Sequence, residues 1–118
     1  MAITTTISGK MQRFNGDNLE MQRRISGSRT ITEYGGHKIT IGPASCNISI
    51  RPAGLACIRT LYVETDYKIN IEITGVRTSS FNIHDNGILM MMNASLSNVR
   101  LSNRSATNTA HPFYDLSG

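Results

Sequence analysis

The sequence predicts an all-β protein, an antiparallel β-sandwich or jelly roll that carries an extended polar N-terminal arm. Three observations lead there. First, Tyr67 to Thr74 alternates without a break: Tyr67, Ile69, Ile71 and Ile73 share one side, and Lys68, Asn70, Glu72 and Thr74 the other. Successive side chains leave a strand on opposite faces, so this period of two belongs to a half-buried strand. A helix would scatter the same four apolar residues around its circumference, and β-branched Ile suits a pleated surface better. Second, short β-prone runs recur at intervals of about ten residues, separated by Gly, Asn, Asp, Pro and Ser. Third, no segment sustains a helical period. That combination belongs to sandwiches and jelly rolls rather than to α/β folds.

The first segment, Ala2 to Ser8, is Thr-rich and β-prone. Then Met11-Gln12-Arg13 recurs as Met21-Gln22-Arg23, with the turn signal Asn15-Gly16-Asp17-Asn18 between them. Two short polar strands around that turn fit this region. So does a short helix from Asn18 to Ile25, because Leu19, Glu20, Met21, Gln22 and Arg23 are good helix formers. With few apolar residues, the region has little area of its own to bury and is expected to pack on something else, such as a neighbouring subunit. Residues 1–29 are therefore read as a basic arm or hairpin and residues 30–118 as the sandwich.

Beyond the Gly27-Ser28 break, RTITEY and HKITIG flank Gly35-Gly36 and read as a hairpin, since two glycines accept the positive φ of a tight turn. After Gly42-Pro43, Cys46 to Arg51 alternates with Ile48 and Ile50 inward. The run from Leu55 to Val63 places Leu61 and Val63 inward. Tyr67 to Thr74 follows as the central strand, and Thr78 to Ile83 leads to a hairpin signal at Asp85-Asn86-Gly87. Ile88 to Met92, ILMMM, is apolar on both sides and is expected to be covered on both faces, its methionines filling an irregular core. Asn93 to Ser97 reads as loop. Asn98 to Ser102 alternates again with Val99 and Leu101 inward, and Phe113, Tyr114 and Leu116 mark the last segment.

At 118 residues and 39% hydrophobic, the chain is long enough to bury one core unaided. The absence of Trp, with only three Phe and four Tyr, argues against aromatic stacking as the main binding device. The net charge of +4 is uneven: Lys10, Arg13, Arg23, Arg24 and Arg29 stand against Asp17 and Glu20, which leaves +3 in the arm. Such asymmetry points to an acidic partner, and these five residues are the candidate partner contacts.

Cys46 and Cys57 are too few for a disulfide framework. In a hairpin centred on Pro52-Ala53 they would sit about one pleat out of register, so they are read as reduced thiols serving as small hydrophobes. No apolar run reaches membrane-helix length, and MAITTTISGK lacks the apolar core of a signal peptide, so synthesis in the cytoplasm with no membrane partner is expected. The acceptor-like triplets at Asn47, Asn93 and Asn103 then follow from an Asn- and Ser-rich composition.

Catalytic patterns are missing. There is no Gly-x-Ser-x-Gly elbow, His37, His84 and His111 sit singly beside turn signals, and no metal-ligand spacing occurs. His84 and Asp85 are adjacent, but adjacent strand residues point apart. Basic residues are not interleaved with aromatics, which counts against nucleic acid as the partner. No enzyme activity, cofactor or metal is expected.

From Leu55 onward the chain resembles small structural proteins of tailed bacteriophages, in particular capsid auxiliary (decoration) proteins. The resemblance lies in the order of LYVETD at Leu61, INIEITG at Ile69, NGIL at Asn86 and LSNVRLSN at Leu96, closed by Leu116-Ser117-Gly118. It implies a β-sandwich in the virion, a major capsid protein or other virion protein as partner, symmetric assembly such as a trimer, and no catalysis. It supplies no site residues. The alternatives are a carbohydrate-binding jelly roll or head/tail accessory adhesin, and a small nucleic-acid-binding β-barrel using the basic arm.

Overall fold

The computed structural model describes residues 3–31 and 34–118; side chains are described at Thr6, from Ser8 to Arg24 and from Lys38 onward. Ten strands and no helix occur among the described residues. The chain divides into two units, Met1–Thr32 and Glu33–Gly118.

The first unit is a two-stranded antiparallel ribbon of β1 (Ile3–Asn15) and β2 (Asn18–Ile31). The turn at its tip lies where the Asn-Gly signal places it. Gly16 has φ +62°, which a glycine adopts without a Cβ clash. The helix alternative from Asn18 is overturned, and the strands are far longer than the short pair expected. Arg29, Thr30 and Ile31 pair with Thr5, Thr4 and Ile3, so the Thr-rich start of the chain takes the partner role that the sequence pattern assigns to HKITIG. At a rise of about 3.4 Å per residue the ribbon is about 45 Å long.

The second unit is an antiparallel jelly roll of two four-stranded sheets. It is built from β3 (Tyr34–Lys38), β4 (Ser45–Ser49), β5 (Ile58–Glu64), β6 (Ile69–Thr74), β7 (Thr78–Ile83), β8 (Ile88–Leu96), β9 (Asn98–Asn103) and β10 (Phe113–Ser117). The strand orders are β3-β10-β5-β8 and β4-β9-β6-β7. The pairs β6–β7, β5–β8, β4–β9 and β3–β10 nest one outside the next, as in a single long hairpin wrapped around a core. Its tip is the β6–β7 turn, where Thr74 pairs with Thr78 and the Gly75 N–H donates to the Arg77 carbonyl.

This topology corrects several readings. Gly35 and Gly36 are not a turn. They lie within β3, opposite Leu116 and Asp115 of β10. Thr32 and Glu33, part of the expected hairpin, lie outside the described residues. Asp85-Asn86-Gly87 does turn the chain, but β7 and β8 belong to different sheets, so no hairpin forms. Ile88 to Met92 is not covered on both faces: β8 is an edge strand that leaves Ile88 and Met90 exposed, and it continues through Asn93 to Leu96. β4 and β5 likewise lie in different sheets, so Cys46 and Cys57 do not face each other across a hairpin. Both are free thiols. Cys46 is exposed, and only Cys57 is partly covered. The double change Cys46→Ser, Cys57→Ser is expected to cost about 1 kcal/mol or less in a denaturant titration. Non-reducing mass analysis that finds the two bonded would contradict the free-thiol assignment.

The core sits between the sheets, where the alternation placed it. Leu61, Val63 and Leu116 of one sheet and Ile71, Val99 and Leu101 of the other are fully buried, and Ile69 nearly so. β6 is an interior strand between β9 and β7. Asn103 pins the end of the roll. It is fully buried, its Nδ2 donates to the carbonyls of Ile41 (3.0 Å) and Asn108 (2.7 Å), and its Oδ1 accepts from the Ser105 N–H (3.0 Å). At about 1 kcal/mol net per bond, Asn103→Ala is expected to cost about 3 kcal/mol. A thermal melt checks this through a drop in Tm of roughly 10 °C or more.

Candidate functional site

The five basic residues are placed on the ribbon by its register. Lys10 lies opposite Arg24, Met11 opposite Arg23 and Arg13 opposite Met21, while Arg29 pairs with Thr5 far from the tip. Residues directly opposite in an antiparallel pair share a face. The described basic residues therefore do not form one patch: Lys10 and Arg24 occupy one face, Arg13 and Arg23 the other. All four are exposed. Like charges placed directly opposite destabilise a ribbon, so the Lys10–Arg24 pair is a site where an outside acid would be welcome. Its face also carries Gln12 and Gln22, joined by a 3.2 Å hydrogen bond, and Phe14 opposite Leu19 at the tip, both about half exposed.

The reverse face is a checkerboard. Met11 and Met21 lie on one diagonal and Arg13 and Arg23 on the other. Positions of the same parity hold Ile3, Ile7, Ile25 and Ile31. By composition the arm is poor in apolar residues; register shows that its methionines and isoleucines fall at one parity and that Phe14 and Leu19, beyond the register shift, fall at the other. A missing partner strand hides this in the sequence, because parity along one strand says nothing about what lies opposite.

The outer faces of the two jelly-roll sheets differ in chemistry. On the β4-β9-β6-β7 sheet polar groups pair with one another. Asn70 donates to the Phe81 carbonyl and to Asn82, Ser80 donates to Asn70, and Arg100 lies 3.2 Å from Glu72. On the β3-β10-β5-β8 sheet, Phe113 lies opposite Glu64 and Asp115 opposite Tyr62, with Ile88 and Met90 beside them on β8. Ile88 is 58% exposed, Met90 40% and Phe113 38%. Tyr62 and Phe113 meet edge to face, centroids 6.2 Å apart, and the Tyr62 hydroxyl donates to Glu64 at 2.7 Å. That hydrogen bond, more than burial, pushes the Tyr62 phenol up, and partial burial pushes the Asp115 carboxyl up. Sequence reasoning misses this face because ILMMM reads as core.

At one end of the same sheet a cleft of about 450 Å³ is lined by Lys38, Glu64, Asp66, Asn86, His111 and Phe113 among others. Asp66 accepts from the His111 backbone N–H at 2.7 Å, and its second oxygen lies 2.8 Å from His111 Nδ1. The His84–Asp85 adjacency gives no such pair; Asp85 accepts from the Lys68 N–H instead. The Asp66 carboxyl is held below the ordinary carboxylate range chiefly by the His111 backbone N–H, with the His111 ring and Tyr67 adding to it against a desolvation push upward. A carboxylate with a depressed folded pKa contributes stability above its unfolded value, about 3.9, and loses it as pH falls through the folded value. Asp66→Asn is therefore expected to flatten the acid limb of a Tm-against-pH curve below about pH 4. Among the described residues no three of His, Cys, Asp and Glu gather in a way that would hold a metal ion.

No family profile and no curated protein matches the sequence. Among solved structures, the cupin domain of Schizosaccharomyces pombe Cnp3 is similar in fold, with a TM-score of 0.50 at 8% identity over 95% of this chain and 83% of that one. Cupins are double-sheet jelly rolls, so the similarity supports the architecture, and a shared fold carries no activity with it.

Proposed function

We propose that this chain is a structural virion protein of a bacteriophage, a capsid auxiliary protein of the decoration type that binds and stabilises the assembled shell without catalysis. The observation that carries the reading is the ribbon. A two-stranded hairpin is marginal alone in water, yet this one is about 45 Å long and exposes Met11, Phe14, Leu19 and four cations. Such an arm gains its stability from a partner, and its charge suits an acidic one, which it would meet by steered docking. The jelly roll, the polar surface of one sheet and the resemblance from Leu55 onward support the same reading. The test is a mass-spectrometric search for this chain in purified phage particles, where stoichiometric presence is expected and absence overturns it.

A second reading, a glycan-binding accessory adhesin, draws on the cleft with Phe113 beside Glu64, Asp66 and Asn86. A glycan array tests it. A salt titration on DNA tests the nucleic-acid alternative, since phosphate-driven affinity falls steeply with salt.

A further inference from the structure

The ribbon and the outer face of the β3-β10-β5-β8 sheet carry matching patterns. On the ribbon, Met11–Arg23 and Arg13–Met21 form two adjacent rows of apolar and cationic residues. On the sheet, Phe113–Glu64 and Asp115–Tyr62 form two rows of aromatic and acidic residues. Both are antiparallel pairs, so both obey the same spacing: about 4.8 Å between strands and about 6.8 Å between alternate residues. The two charges on each surface thus stand about 8 Å apart along a diagonal. Laid face to face, the Arg13–Arg23 diagonal can cover the Glu64–Asp115 diagonal while the methionines meet the aromatic rings.

We infer that the Met11/Arg13/Met21/Arg23 face of the arm of one copy docks on the Tyr62/Glu64/Phe113/Asp115 face of a second copy. Charge complementarity selects this occupant. Two arms stacked on the same face would oppose arginine to arginine, and two sheet faces would bring together their Glu64 and Asp115 acids, with Lys38, opposite Phe113 at the β3 edge, the one described cation in those two rows. The other sheet's outer face already pairs its polar groups internally and offers no comparable apolar surface. Every copy has one arm and one receiving face, so donation from copy to copy satisfies both in a closed ring or a reciprocal pair. The upward push of partial burial on the Asp115 carboxyl adds to the case, because an arriving guanidinium would restore its charged form. The inference deepens the proposed function by naming the partner that would hold the arm between copies.

The test uses full-length chains. Arg13→Glu with Arg23→Glu, and separately Glu64→Arg with Asp115→Arg, are each expected to weaken self-association about tenfold or more, and all four changes together are expected to restore it. Sedimentation equilibrium reads the constants. A monomeric parent, unchanged association in either variant, or no restoration overturns the docking. A second measurement does not depend on the charge variants folding well. In a Cys46→Ser, Cys57→Ser background, a chain with Met11→Cys is mixed with a differently tagged chain with Met90→Cys. Oxidation is expected to link the two chains well above the yield with Lys68→Cys, which lies in the connection before β6, outside the receiving face. A yield equal to that control, or a bond formed only within one chain when both cysteines are placed together, overturns it. The particle search stands apart: presence in virions without restoration sinks the docking alone, and restoration without virion presence sinks the virion role alone.

Discussion

Ile71→Asp is expected to abolish the cooperative unfolding transition of the jelly roll. Ile71 is fully buried, and its strand β6 lies between β9 and β7, with Leu101 and Phe81 as its register neighbours. Burying the isoleucine side chain contributes about 1.5–3 kcal/mol, and an aspartate there loses that and leaves a charge without a partner. The combined cost is of the order of 5 kcal/mol or more, comparable with the whole stability of a small domain. Its described neighbours in the core, among them Ile69, Val99 and Leu101, are apolar and offer no counter-charge. Lys68→Ala on the same segment is expected to change stability by less than about 0.5 kcal/mol, because its side chain is exposed and its backbone N–H keeps the bond to Asp85. Circular dichroism melts of the two variants check this, and equal losses from both would show that the inward face of β6 is wrongly assigned.

Removing the arm is expected to do the opposite: leave the fold and abolish association. Among the described residues every member of the hydrophobic core cluster, from Ile41 to Leu116, lies in the second unit, so a chain lacking residues 1–29 is expected to keep this core. What it loses is the ribbon, with most of the net charge. An arm that orders on a partner offsets its conformational entropy with contact area, so deletion removes the contact altogether rather than weakening it in part. Self-association and particle binding of the truncated chain are expected to fall by at least about a hundredfold, roughly 3 kcal/mol, while its melting temperature changes little. Particle binding at full strength after deletion would remove the arm from the proposed function.

The strands with uninterrupted alternation are legible in the amino-acid order alone. Residues 46–51, 67–74 and 98–102 each form a strand or its immediate flank, and Ile50, Ile69, Ile71, Val99 and Leu101 are buried as their parity requires. The arm's turn is legible because Asn-Gly states its backbone geometry locally. The candidate contacts are legible as charges but not as faces. Arg13 and Arg23 share a face, and Lys10 and Arg24 the other, only because Glu20 sits at a register shift between Arg13 and Phe14 that composition does not reveal.

Side-chain periodicity and local φ preferences are written within a few residues of one another. They suffice for the β class, for which residues of the strictly alternating strands face inward, and for where most of the chain reversals fall. Long-range packing settles the rest: that Gly35 and Gly36 belong to a strand, that β8 is an edge, and that Phe113 meets Tyr62 and Asp66 meets His111 across the roll. Strand pairing is made by backbone N–H and C=O groups that are the same in nearly every residue, so partner choice depends on the closure of the whole sheet. An apolar run such as ILMMM gives no sign of whether a neighbour will cover it.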